Sequence, residues 1–232
     1  MNKKLTGLLG ILLSIIVVVY FEEFAYKILN LIGINIKNFS NIVRLVINIS
    51  IKLVMCFIIY IIFKRDHRSR RNKDNLIKTG FVFLVCLLSL VIGMYLFGYV
   101  VNFIGDIFNI EVLENNFYNI FNKKLDFSLI VKIINDYILN PYLYCTIIIL
   151  SADKLTRRTD TCVVLSGLLA SIIYALSLSG TLGFVIVNSL NMFLLFAILA
   201  FIYKKHFSIH FVITLYSFYL ISNIFILNYI GW

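Results

Sequence analysis

The chain has 232 residues, of which 61% are hydrophobic and 14% charged, and its mean hydropathy is +0.97. That composition excludes a soluble globular domain. The net charge of +10 lies mostly in loops between apolar stretches, which ties it to membrane orientation and anionic lipid and not to nucleic acid.

A bilayer core about 30 Å thick takes about 20 apolar residues of helix. Seven stretches approach that length: Leu5–Phe21, Ile42–Phe63, Gly80–Ile104, Phe127–Leu150, Cys162–Leu178, Leu182–Tyr203 and Ile209–Ile230. Ile and Leu at this density could also build strands, but runs of this length without turn signals argue helix, because lipid leaves no partner for an unpaired backbone group. The expected fold is therefore all-α, a polytopic transmembrane bundle of about seven spans. It forms a single domain over 1–232, with three spans in 1–126 and a four-span core in 127–232. The first stretch lacks a small-x-small cleavage site and runs into Phe21-Glu22-Glu23, so it reads as a span and not a signal peptide. Glu22-Glu23-Phe-Ala-Tyr-Lys27 then reads as a charged cluster at the membrane interface, leading into an interfacial helix over Phe24 to Ile36.

The loops set an orientation. Lys3 and Lys4, the run Lys64 to Lys78, the loop Lys154 to Arg158, and Lys204 with Lys205 all fall on one side of a seven-span chain. The opposite loop after the third span carries Asp106, Glu111, Glu114 and Asp126. The positive-inside rule gives a cytoplasmic N-terminus and an external C-terminus. The segment Asn102 to Asp126 is amphipathic and suits the outer membrane surface. Pro141, the single proline, frees a carbonyl one turn earlier and predicts a kink in the fourth span.

Polar residues inside apolar stretches are the candidates for function. The fourth span holds Lys132, Asp136 and Asn140 at i, i+4 and i+8, with Tyr144 one turn on. Lys132 and Asp136 either pair near the outer headgroups or help wall an internal cavity. Asn188, Asn191, Thr214, Tyr216, Ser217, Tyr219, Ser222 and Asn223 read as hydrogen-bonding contacts between helices. Cys56, Cys86, Cys145 and Cys162 show no C-x-x-C spacing and read as small buried residues. His206 and His210 are spaced i, i+4 but have no third ligand nearby, so no metal and no cofactor is expected.

The last four spans carry a resemblance. Pro141-Tyr-Leu-Tyr144-Cys145-Thr-Ile-Ile-Ile149 is followed by a short basic loop. Then come Leu165-Ser-Gly-Leu-Leu-Ala-Ser-Ile-Ile-Tyr174-Ala-Leu-Ser-Leu178, a glycine-containing hairpin, and Met192 to Tyr203 leading into Lys-Lys-His-Phe-Ser208-Ile. In order and spacing this resembles the CPBP family, the bacterial CAAX-protease and bacteriocin-processing membrane proteins. The resemblance covers about residues 135 to 225. It implies a helical bundle in a bacterial cell membrane, with a site shared by the last spans.

The catalytic residues of that family are absent. Its P-x-x-E-E-x-x-x-R motif, laid on Pro141, puts the glutamates at Tyr144 and Cys145 and the arginine at Ile149. Its F-x-x-x-H motif falls on Tyr174 and Leu178, or on Ile173 and Ser177. Its H-x-x-x-N motif falls near Tyr216 and Leu220. The chain's glutamates are Glu22, Glu23, Glu111 and Glu114, and its histidines His67, His206 and His210. No alignment of the last four spans supplies a glutamate base, and without a base of suitable pKa water is not activated. The expected protein is a catalytically inactive relative that keeps a groove lined by Tyr144, Cys145, Tyr174, Ser177 and Tyr216. That groove would hold a membrane or secreted peptide or protein partner. Two alternatives are an intramembrane protease with a non-standard site, using Asp136 and His210, and a small permease or transporter subunit.

Overall fold

The computed structural model describes residues 7–12, 21–32, 39–68, 76–112, 127–156, 158–205 and 208–230. Among these residues there is no strand. A helical stretch at 7–12 precedes α1 (Phe21–Leu31), α2 (Asn41–Arg68), α3 (Leu76–Phe108) and α4 (Phe127–Ile134). A π-helical turn, Asn135–Leu139, joins α4 to α5 (Asn140–Leu155), and α6 (Thr159–Ser177), α7 (Leu182–Lys204) and α8 (Ile209–Ile230) follow.

Among the described residues, five helical segments are long and apolar enough to cross a membrane: Asn41–Lys64, Lys78–Phe108, Ile130–Leu155, Thr159–Ser177 and Leu182–Lys204. The chain is thus a multi-pass helical membrane protein. The second to sixth expected spans fall on these segments. Of the first expected span only 7–12 and Phe21 lie among the described residues, and Phe21 begins α1. Helix α1 has 11 residues, about 16 Å of length, too short to cross a bilayer. The seventh expected span coincides with α8, 22 residues long.

Helix α5 is the hub. Leu143 and every residue from Cys145 to Ala152 are buried, as befits a helix apolar on all sides. In the apolar window of Ile130–Leu155, 56% of residues are buried, against 6% for Asn41–Lys64 and 11% for Lys78–Phe108. Helices α2 and α3 therefore turn most of their surface to lipid. Leu53, Val54, Phe57, Phe81, Leu84 and Leu88 are exposed there, which costs nothing where the solvent is hydrocarbon.

The most extensive helix pair is α6 with α7. Its closeness comes from Gly167, where an added Cβ would lie 2.8 Å from the Phe193 carbonyl oxygen. Phe83 of α3 meets Phe211 and Phe218 of α8 edge-on, with ring centroids 5.4 and 5.5 Å apart.

Helices α2, α5 and α7 run in one direction and end together. Lys154 lies over the Phe63 ring, 5.5 Å from its centroid. Lys204 Nζ donates to Asp153 Oδ1 at 2.5 Å. The N-terminal stretch joins this same end, where a Cβ on Gly7 or Gly10 would strike Leu155 or Ser151. We call this the basic end.

At the opposite end α3 runs on to Phe108. Asn102 to Phe108, expected to start a surface segment, therefore complete the third membrane helix. The helix stops in a Schellman motif: Asn109 takes φ 50°, its N–H donates to the Asp106 carbonyl, and the Ile110 N–H donates to the Gly105 carbonyl at 2.8 Å. Asparagine tolerates that left-handed backbone better than most residues. Asn188 Nδ2 of α7 then donates to the Glu111 carbonyl at 3.1 Å, so the chain beyond α3 folds back against α7. Residues 113–126, the rest of the expected amphipathic segment, lie outside the described residues.

Candidate functional site

Two side-chain groups inside the bundle stand out from its apolar surroundings. The first joins α2 to the π turn. Lys52 is the twelfth residue of the apolar window Asn41–Lys64, about 17 Å from either limit at 1.5 Å per residue. Its side chain is half-buried. Lys52 Nζ donates to Asn135 Oδ1 at 2.8 Å and to Asn140 Oδ1 at 2.9 Å. The same two amides turn their nitrogens to a carboxylate. Asn135 Nδ2 donates to Asp136 Oδ1 at 2.7 Å, and Asn140 Nδ2 approaches the same oxygen at 3.5 Å. Two neutral amides thus stand between a cation and an anion, and each amide satisfies both. The arrangement meets the requirement that intramembrane charges be paired or hydrogen-bonded.

The backbone explains why Asn135, Asp136 and Asn140 converge. Pro141 has no N–H, so an unbroken α-helix would leave the Tyr137 carbonyl without its i+4 donor. The chain answers with a wider turn, in which the Asn140 N–H donates to the Asn135 carbonyl five residues back. A π turn carries one extra residue and shifts the angular position of everything after it. Helix thus continues through Pro141, and the adjustment takes the form of a π turn instead of an interrupted helix. The expected stripe holds only in part. Asp136 and Asn140 join one set, but Lys132 is exposed. Lys52 completes the set instead; Arg44, Asn48 and Lys52 at i, i+4 and i+8 mark a polar face of α2 without naming its partners.

The second group is aromatic. Tyr216 of α8 is 5% exposed and lies within electrostatic reach of Cys145, Tyr144, Tyr219 and Tyr174. Its ring meets Phe196 of α7 edge-on at 5.7 Å and stacks near Tyr219 at 6.4 Å. Cys145 is fully buried, and Tyr144 and Tyr174 are half-buried. Helices α5, α6, α7 and α8 therefore supply one cluster. Ser177 is exposed and donates its hydroxyl to the Tyr174 carbonyl at 2.6 Å.

Asp136 and His210 do not come together. Asp153 touches Lys204 at the basic end, where α8 starts at Ile209 and His210 is exposed. Asp136 lies 17 residues of helix before Asp153, about 25 Å along the axis. His206 lies outside the described residues. Among the described residues no three His, Cys, Asp or Glu side chains are grouped to hold a metal ion.

No protein-family model, no curated protein and no solved structure matches this chain.

Proposed function

We propose that the chain is a non-catalytic, CPBP-like protein of a bacterial cell membrane that captures a membrane or secreted peptide or protein partner. One observation carries the reading. Tyr144 and Cys145, standing where the family's first motif would place its glutamates, lie with Tyr174 within electrostatic reach of the buried Tyr216. Phenols and a thiol have ordinary pKa values of about 10 and 8.5, too high for a base at neutral pH. The half-buried rings of Tyr144 and Tyr174 offer apolar area with a polar tip, which suits binding. Holding an envelope enzyme in place, immunity to a bacteriocin and help in peptide export all fit such a role.

The test is a pull-down from native membranes in mild detergent, comparing wild type with Tyr144→Ala and Tyr174→Ala. A partner retained by wild type and lost from both variants, at unchanged helix content, supports the reading. A partner held equally by all three, or none held by any, overturns it.

The Lys52 set favours a second reading, a small permease or transporter subunit. A paired charge at mid-depth marks ion and proton pathways more often than it marks peptide sites. Solute flux into liposomes containing the purified protein decides it.

A further inference from the structure

We infer that the amide oxygens of Asn135 and Asn140, backed by the Asp136 carboxylate, form an intramembrane seat for a monovalent cation of ammonium or potassium size, filled here by the chain's own Lys52 ammonium. Two amide oxygens converge on Nζ at 2.8 and 2.9 Å. Both amides are polarised from behind by one carboxylate oxygen, at 2.7 and 3.5 Å. Each amide that donates to an anion becomes a stronger acceptor at its oxygen. An ammonium and a potassium ion are close in size, and amide oxygens stand in for the hydration of either.

The charges set the stoichiometry. Lys52 and Asp136 together are neutral, and a second cation added beside the ammonium would leave one uncompensated charge in hydrocarbon, at a cost of several kcal/mol. A free ion therefore takes the seat only as the ammonium leaves it, one for one. Asp136 is half-buried and six residues from the start of the apolar segment at Ile130. The residues that form and back the seat belong to the π turn and the first residue of α5, and Lys52 reaches them from α2.

This names the ligand class that the permease reading leaves open, and it is tested by binding alone. A seat without transport and no seat at all then give different results. The full-length protein in detergent is melted in potassium chloride and in N-methylglucamine chloride at equal concentration, followed by circular dichroism. Wild type should melt alike in both, because its ammonium fills the seat. Lys52→Met should melt about 5 °C or more higher in potassium, the shift expected when an ion saturates a site present only in the folded protein. Adding Asp136→Asn to Lys52→Met should abolish the difference. Lys52→Gln, which keeps a polar tip, should behave as Lys52→Met with a smaller shift. A folded Lys52→Met that melts alike in both salts overturns the seat, as does a shift that survives Asp136→Asn. A Lys52→Met protein unfolded in both salts also overturns it, because an ion in the seat restores the missing charge. Potassium-driven proton flux in liposomes, measured separately, bears on transport and leaves the seat unaffected.

Discussion

Lys204 Nζ rests on Asp153 Oδ1 at 2.5 Å and fastens the last turn of α7 to the last turn of α5. The two side chains are 10% and 21% exposed, and the Tyr203 hydroxyl donates to the other carboxylate oxygen at 3.4 Å. Such a pair stands between an exposed ion pair, worth under about 1 kcal/mol, and a buried one, whose breaking costs about 3–5 kcal/mol. Asp153→Asn or Lys204→Met should therefore lower stability by about 1–3 kcal/mol. The exchanged pair Asp153→Lys with Lys204→Asp should recover part of it. Unfolding in mixed micelles measures both.

Gly167 should tolerate no side chain. A Cβ there meets the Phe193 carbonyl oxygen at 2.8 Å and its ring carbons at 2.9 and 3.0 Å. A ring can swing, but a helix carbonyl cannot. Gly167→Ala should push α6 from α7 and cost about 1–3 kcal/mol. Gly93→Ala, where nothing lies within 4 Å of the added carbon, should be near neutral and serves as the control.

Reporter fusions should find one face of the bundle in the cytoplasm. Residues 7–10, Phe63, Lys154 and Lys204 share the basic end, and basic loops stay inside. A fusion after Lys73 should behave as cytoplasmic and one after Trp232 as external. A cytoplasmic signal after Trp232 would change the number of spans.

Purified protein should not cleave CAAX-type or leader peptides, with or without zinc. Glu22→Gln, Glu23→Gln and His210→Ala should each leave biological function near wild type. Loss of a general base alone typically costs about 10²- to 10⁴-fold in hydrolysis. Robust cleavage abolished by His210→Ala would replace partner capture with proteolysis.

Helices α2 to α8 were legible because hydrophobic runs of membrane length have one backbone solution. The contact between Asp136 and Asn140 was legible too, because residues four apart share a helix face. Lys52 was not. Arg44, Asn48 and Lys52 stand four apart on one face of α2, but the partners of Lys52 lie 83 and 88 residues further along. No local periodicity encodes a contact of that span. The exposure of Lys132 was hidden for a different reason: a stripe at i, i+4 and i+8 shows which residues share a helix face, not which part of that face meets another helix. The π turn at Asn135–Leu139 had one visible sign, Pro141.

The distance in sequence between Lys52 and its amides is also a delay in time. At about 5–20 residues per second, Asn135 leaves the ribosome roughly 4 to 17 s after Lys52 does. Helix α2 must enter the bilayer before the residues that receive its charge have been made. A lysine at mid-depth adds about 2.5–3.5 kcal/mol to the insertion of an isolated helix. The apolar residues around it, with a mean window hydropathy of 2.5, offset that penalty. In the interval the long lysine stem can reach toward headgroups or water. Lys52 therefore meets its amides only when the helix carrying Pro141 arrives, and a chain interrupted before Asn135 would leave its ammonium without them.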